Sequence, residues 1–364
     1  MDATLYQPLF LAGVMLFAIG IGGRYLASAG YALQERWHDF MLPLAISVVL
    51  VLWIGMRPVS PAFGDTVNYA REYRLMGVTD VPMDWKGEWI WQLFMASCKN
   101  SGLSIHVFFT LVEAGYILSV LWAVKRFMPG NPGLGMLFVC ASLMFFSFGT
   151  NGLRNGLACH IVLLAMGLLF ADKYAAAAAL SLLAFGIHRS VALPIAATLA
   201  GMYLLRNPKH AVYVWIASIG VSLVAGESIT GFFASLGFDD RMTSYTDDTN
   251  DMEQFSRTGF RWDFLLYSAM PVLMVWYVCV RKAASDSWYN VIAVVYCLCN
   301  AFWVMVIRSS FSNRFAYLSW FLYPIVIAYP LINLPVWEDQ DRKTGQILLA
   351  YCGFTLFMQF FVWS

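Results

Sequence analysis

The chain has 364 residues, 60% of them hydrophobic and only 12% charged, with mean hydropathy +0.64 and a formal net charge of +1. Soluble domains carry about 25% charged residues, so a soluble enzyme is excluded, and the near-neutral charge gives no reason to expect a nucleic-acid partner. The apolar residues fall into runs of about 17 to 22, enough for a helix to cross the hydrocarbon of a bilayer; they are continuous rather than alternating, which excludes a membrane β-barrel.

These runs predict an all-α polytopic membrane protein, a single integral membrane domain over residues 1–364. About twelve spans are expected, at 7–28, 40–56, 103–124, 133–149, 153–171, 174–188, 190–205, 210–226, 263–280, 288–307, 315–334 and 345–362. The opening "MDATLYQP" lacks a basic n-region, so no cleavable signal is expected. The small residues of "AAAAALSLLAFG" predict close helix contact. Six of the seven cysteines lie in apolar runs, against a disulfide framework or a zinc site.

With the N terminus outside, "VKRFMPG", "LLRNPKH" and "CVRKAAS" become short basic inner loops, as positive-inside sorting requires. Two longer segments, about 57–102 and 227–262, then lie outside. Ten of the twelve outer basic residues are Arg, whereas five of the eleven inner ones are Lys. Orientation does not distinguish Arg from Lys, but recognition of phosphate or carboxylate does, through the planar fork of guanidinium donors.

In the first outer segment, "GDTVNYAREYR", Asp65 and Tyr69 stand four apart and share a helical face, with Arg71 beside them. Further on, "WKGEWIWQLF" reads as an interfacial or re-entrant helix, and Glu88 at its start reads as a proton acceptor or merely a favourable charge at a helix N terminus. In "NGLRNGLACH", Asn151, Arg154 and Asn155 are spaced to face one way at a helix entrance, as the rim of a polar pocket; His160, deeper in the run, reads as core. His188, Arg189 and Ser190 interrupt the apolar sequence almost without a loop. Ionisable residues at such depth usually face a cavity or a partner, and histidine is a side-chain type that can serve as a proton acceptor. In "VIRSSFSNRFAYL", Arg308 and Arg314 bracket hydroxyls suited to a diphosphate. Arg257 and Arg261 precede the next-to-last outer approach to the membrane, four residues apart, after an acidic run, "DDTNDMEQ", that lacks calcium-loop spacing. No dinucleotide or phosphate-loop glycine motif is present.

Three passages resemble the EpsG family of bacterial polysaccharide polymerases, the Wzy-type enzymes: "GDTVNYAREYR", the long central stretch from "LRNGLACH" to "GIHRSVALP", and "NRFAYLSWFLYP". The chain departs from the family pattern at Asn155, where Gln often follows the Arg, and at Arg189, a variable position. The resemblance implies a GT-C-like glycosyltransferase in the bacterial inner membrane, its active site facing the periplasm. The donor is a glycan on undecaprenyl diphosphate and the acceptor is the terminal sugar of another lipid-linked repeat unit. Nucleotide sugar, metal and cofactor are not required, and a separate regulator of chain length is an expected partner. On this reading Arg154, Arg308, Arg314 and Arg189 hold the donor diphosphate. His188 or Asp65, then Glu88, takes the proton of the attacking hydroxyl. Arg71, Arg257 and Arg261 guide the second anionic lipid, while tyrosines such as Tyr69 stack on sugar. The competing readings are a lipid-linked oligosaccharide flippase or other transporter, an O-antigen ligase and a membrane O-acyltransferase.

Overall fold

A computed structural model describes residues 1–28, 40–76, 87–235, 259–309 and 312–362, without the side chains at 227 and 230–235. Every regular element among the described residues is helical. In chain order these are α1 (Tyr6–Ala27), α2 (Met41–Gly55), α3 (Thr66–Leu75), α4 (Trp89–Asn100), α5 (Ile105–Phe127), α6 (Pro132–Cys140), α7 (Phe145–Thr150), α8 (Leu153–Leu169), α9 (Tyr174–Ile187), α10 (Ala192–Tyr203), α11 (Pro208–Ser235), α12 (Trp262–Val275), α13 (Ser287–Met305), α14 (Ser312–Trp320), α15 (Tyr323–Asn333) and α16 (Gln340–Phe357).

Seven helical stretches among the described residues are long and apolar enough to cross a membrane, and three more, α2, α8 and α9, are apolar but shorter. The chain is a multi-pass membrane protein. The expected span at 133–149 is not one helix. Asn131 caps α6 by accepting from the Leu134 amide at 3.0 Å, with Pro132 in the first turn, and the backbone then turns over 141–144 before α7. Non-helical backbone is tolerated at membrane depth only where protein surrounds it, and nearly every residue of 131–150 is buried. The span expected at 190–205 contains α10, of only 12 residues.

The described residues cluster into two compact units. One comprises Met1–Arg189 and Leu331–Ser364, the other Ser190–Pro330. In the first, α1 lies close against α16. A Cβ on Gly345 would stand 2.7 Å from the Gly22 carbonyl oxygen, and one on Gly22 would stand 2.8 Å from Leu349 Cγ. Only small residues allow such an approach. At Gly55 of α2 a Cβ would come 2.5 Å from Thr110 Cα of α5. The small residues of α9 permit the expected close approach on one face, where a Cβ on Gly186 would stand 2.4 Å from Ile90 Cδ1 of α4; of residues 175–179 only Ala177 is buried.

Loops expected on a common side of the membrane meet in this unit. The Asn131 amide donates to Tyr25 Oη at 3.0 Å, Ser28 Oγ to Asp341 Oδ2 at 3.0 Å, and the Asn333 amide to the Phe127 carbonyl at 2.7 Å. The opposite ends of the same helices bring together 57–69, Glu88, 150–154 and His188.

The second unit is organised around Asn300, fully buried on α13. Its carbonyl accepts from Trp215 Nε1 of α11 at 2.7 Å, and its amide donates to Ser268 Oγ of α12 at 3.1 Å and Ser319 Oγ of α14 at 2.9 Å. Trp320 Nε1 also donates to Ser268 Oγ at 2.7 Å. One amide thus answers polar groups from three neighbouring helices in an apolar interior. Interhelical hydrogen bonds in membrane proteins contribute about 0.6 kcal/mol on average and up to about 1.7. Asn300→Leu loses three and leaves an indole N–H unanswered. It is therefore expected to cost about 2–3 kcal/mol, read as a lower melting temperature in detergent, whereas Asn300→Gln at the same position retains part of the loss.

Candidate functional site

Glu88 is the meeting point of the first unit's ionisable residues. It occupies the N-cap position of α4 but makes no capping hydrogen bond there. Its carboxylate oxygens go elsewhere: Oε2 receives Arg154 Nη1 and Oε1 faces His188 Nδ1. Arg154 lies in the first turn of α8, and His188 ends α9 in an extended conformation. Three elements distant in sequence are therefore held by one carboxylate. The Arg154 guanidinium also lies 5.7 Å from the centre of the Tyr69 ring on α3. Tyr69 in turn meets Trp91 of α4 edge-on at 5.5 Å, and Trp91 meets Phe108 of α5 at 5.5 Å. The floor is thus aromatic and buried. Glu88, Arg154 and His188 each retain just under a fifth of their side-chain surface, 19%, 19% and 18%, so a ligand can reach them.

The arrangement has a definite chemical sense. A carboxylate on Nδ1 of an imidazole fixes the tautomer with hydrogen on Nδ1 and leaves Nε2 as the basic nitrogen. His188 Nε2 takes no hydrogen bond among the described residues. Arg154 donates to the other oxygen and so holds the Glu88 carboxylate in place.

Beneath this cluster lies a second ion pair with no access to solvent. Arg57 and Glu113 are each 0% exposed, with Nη1 donating to Oε1 at 3.0 Å. The same guanidinium donates to the Ile54 carbonyl at 2.9 Å, to the Thr150 carbonyl at 3.3 Å, and to Thr66 Oγ1 at 3.4 Å from both Nε and Nη2. It lies 4.7 Å from the Phe109 ring centre. Thr66 Oγ1 donates to the Thr150 carbonyl at 2.7 Å, the Asp65 amide donates to Asn151 Oδ1 at 2.8 Å, and His106 Nδ1 lies 3.1 Å from the Arg57 carbonyl oxygen. Gly64, at φ +56°, presses on the Asn151 side chain where any Cβ would collide. Glu113 Oε2 has no partner, a desolvation cost of about 1–3 kcal/mol or more for a charged group.

Of the residues singled out in sequence, Glu88, Arg154, His188 and Tyr69 come together. Asp65 stands one turn before Tyr69 at the N-cap position of α3, its carboxylate accepting from Asn68 at 3.1 Å. Asn151 Oδ1 accepts from the Asp65 amide and fastens the 57–65 loop, and Asn155, buried, accepts from Cys159 Sγ at 3.2 Å. Arg71 is exposed on α3. Arg189 is exposed beside His188 and has no ion pair or hydrogen bond among the described residues. Arg261, Arg308 and Arg314 belong to the second unit. There Arg261 is engaged by Asp263 at 2.9 and 2.5 Å, and Arg308 lies 6.0 Å from the Phe260 ring centre. Arg257 lies outside the described residues. His160 is core, as expected: it stacks on Tyr116 at 4.0 Å, with Nδ1 2.9 Å from the Tyr116 carbonyl oxygen.

Sequence reasoning missed Arg57 and Glu113. The available signal was Glu113 itself, one carboxylate alone in the apolar run of α5; such a residue requires a cationic partner, and Arg57 is the cation at the end of the preceding apolar helix.

Among comparisons with known proteins, no curated protein matches the chain. No solved structure matches it either. The family model that matches is that of the EpsG family, over residues 41–364. That stretch contains α2 to α16 and every residue of the Glu88 cluster, and so the chain belongs to the EpsG family, a family of Wzy-like polysaccharide polymerases.

Proposed function

We propose that this chain is a membrane glycosyltransferase that polymerises lipid-linked repeat units. It moves a glycan from undecaprenyl diphosphate to a sugar hydroxyl of a second lipid-linked unit, with the site facing the periplasm from the bacterial inner membrane. The observation that carries the reading is the convergence of Glu88, Arg154 and His188, in a member of the EpsG family. His188 Nε2 takes the proton of the acceptor hydroxyl. The acceptor oxygen bonds to the anomeric carbon as the bond from that carbon to the diphosphate oxygen breaks, inverting configuration, and the carbon carries oxocarbenium-like charge at the transition state. Glu88 holds the imidazole and offsets the charge it gains.

Arg154 has a different role here from the one its sequence position suggests. Its charge is shared with Glu88, so it acts on the diphosphate less than on the carboxylate. Arg189, open and next to His188, is the cation of this unit suited to the departing diphosphate. Arg308 and Arg314 are candidates for anionic-lipid recognition in the second unit and are tested separately, each by its own Lys variant.

Purified protein incubated with a synthetic polyprenyl-diphosphate repeat unit is expected to produce a ladder of lengthened glycans on gels. A single addition to a different acceptor indicates a ligase instead, and unchanged glycan together with lipid movement across vesicles indicates a transporter. His188→Gln keeps the shape of the site and removes the base, so polymerisation should fall about 100-fold or more; Glu88→Gln should also reduce it strongly, through kcat more than KM. Wild-type rates from His188→Gln rule out a base at this position. Arg154→Lys keeps the charge but loses the fork and should mimic the Glu88 defect. Arg189→Gln should instead raise the KM for donor, or lower kcat without altering the binding of acceptor alone.

A further inference from the structure

The Arg57–Glu113 pair is fully buried and touches no residue of the Glu88 cluster directly, yet its hydrogen bonds are distributed in an unusual way. An arginine beside a carboxylate ordinarily donates to both oxygens through its planar fork. Here Nη1 gives one bond to Glu113 Oε1 and one to the Ile54 carbonyl, while Nε and Nη2 go to the Thr66 hydroxyl and the Thr150 carbonyl. Glu113 Oε2 is left buried without a partner. The Nε and Nη2 donors, which a two-pronged pair would turn towards that oxygen, are instead spent on the Thr66 hydroxyl and the Thr150 carbonyl, and so hold those two positions together.

Those positions are informative. Thr66 is the first residue of α3, and Tyr69 follows three residues later; Thr150 is the last residue of α7, and Arg154 follows four residues later. Thr66 Oγ1 also binds the Thr150 carbonyl directly at 2.7 Å, and the Asp65 amide binds Asn151 beside it. One guanidinium therefore sets the start of the helix that carries Tyr69 against the start of the helix that carries Arg154, and the Tyr69 ring faces the Arg154 guanidinium. We infer that Arg57, Glu113 and Thr66 form a positioning device that fixes Arg154, and through it Glu88 and His188, in the reactive arrangement. The inference rests on the polymerase reading for its kinetic consequence but not for its structural one.

Thr66 allows the mildest test, because Val matches its shape and Ser retains its hydroxyl. The full-length chain in detergent is compared as wild type, Thr66→Val and Thr66→Ser. Two readouts are taken: the rate of ladder formation from the synthetic repeat unit, and amide hydrogen exchange over 66–75 and 150–156. Thr66→Val should lower kcat at least 10-fold with KM changed less than 3-fold, and should speed exchange in both segments at a melting temperature close to wild type. Thr66→Ser should restore both. Polymerisation by Thr66→Val at the wild-type rate overturns the inference while leaving the polymerase reading intact. No ladder from the wild type overturns the polymerase reading, and exchange then decides: unchanged exchange in Thr66→Val overturns the inference. Should Thr66→Val fail to fold, Arg57→Lys takes its place under the same criteria. A Tyr69→Phe double variant adds a check, since positioning predicts kinetic effects that are less than additive with those of Thr66→Val, and full additivity overturns it.

Discussion

Arg57 has no exposed surface, so bulk solvent does not reach its five donors. A cation in that condition must find acceptors within the protein or cost several kcal/mol, and those it finds determine how one end of the first unit is built. The end of α2 supplies a carbonyl, α5 a carboxylate and a phenyl face, α3 a hydroxyl and α7 a carbonyl. Breaking such a pair by removing one partner costs about 3–5 kcal/mol. The surrounding backbone therefore has little freedom to shift, and α3 and α8, which begin at this junction, inherit its position.

The Glu88 cluster follows the same rule nearer the surface, with a different consequence. Its three groups are partly exposed, so desolvation costs less than at the fully buried Arg57. One carboxylate serving both a guanidinium and an imidazole leaves the cluster neutral while His188 is neutral, and with one net positive charge when His188 is protonated. That balance suits a base which must be neutral before it takes a proton and must tolerate charge afterwards. It also explains why an arginine that reads in sequence as an anion clamp is occupied in the fold. Arg154 Nη1 is spent on Glu88 Oε2, and its guanidinium lies against the Tyr69 ring.

Much of this architecture was legible in the sequence, because hydropathy reports burial in hydrocarbon directly. The long helices fall where continuous apolar runs end at basic or polar turns. What hydropathy could not report was the break at 141–144, since those residues are as apolar as their neighbours and the turn is sustained by surrounding protein rather than by any local helix breaker. The site was half legible. Arg154 and His188 stood out as charges where an apolar run should continue, and Glu88 as the one carboxylate within "WKGEWIWQLF". Their association was not legible, because 66 residues separate Glu88 from Arg154 and 100 separate it from His188. Arg154 and Asn155 lie on α8, whereas Asn151 precedes that helix in the turn that receives the 57–65 loop, so the spacing alone does not place all three on one helical face.

The division of labour among the arginines follows from these placements. A membrane protein can use a guanidinium either as a fastener, spending its donors on carbonyls and carboxylates, or as a receptor, leaving them open to a ligand; one side chain rarely does both, because the donors that fasten are directional and already aimed. Arg57 and Arg261 are fasteners by this criterion, and Arg154 is largely one. Arg189, like Arg71 and Arg74 of the same unit, is exposed and has no hydrogen bond or ion pair among the described residues; what sets it apart is its place directly after His188 in the chain. An enrichment of arginine over lysine in the expected outer loops therefore has two sources. Part of it builds the scaffold, where the fork grips backbone, and only the remainder is available to grip a phosphate.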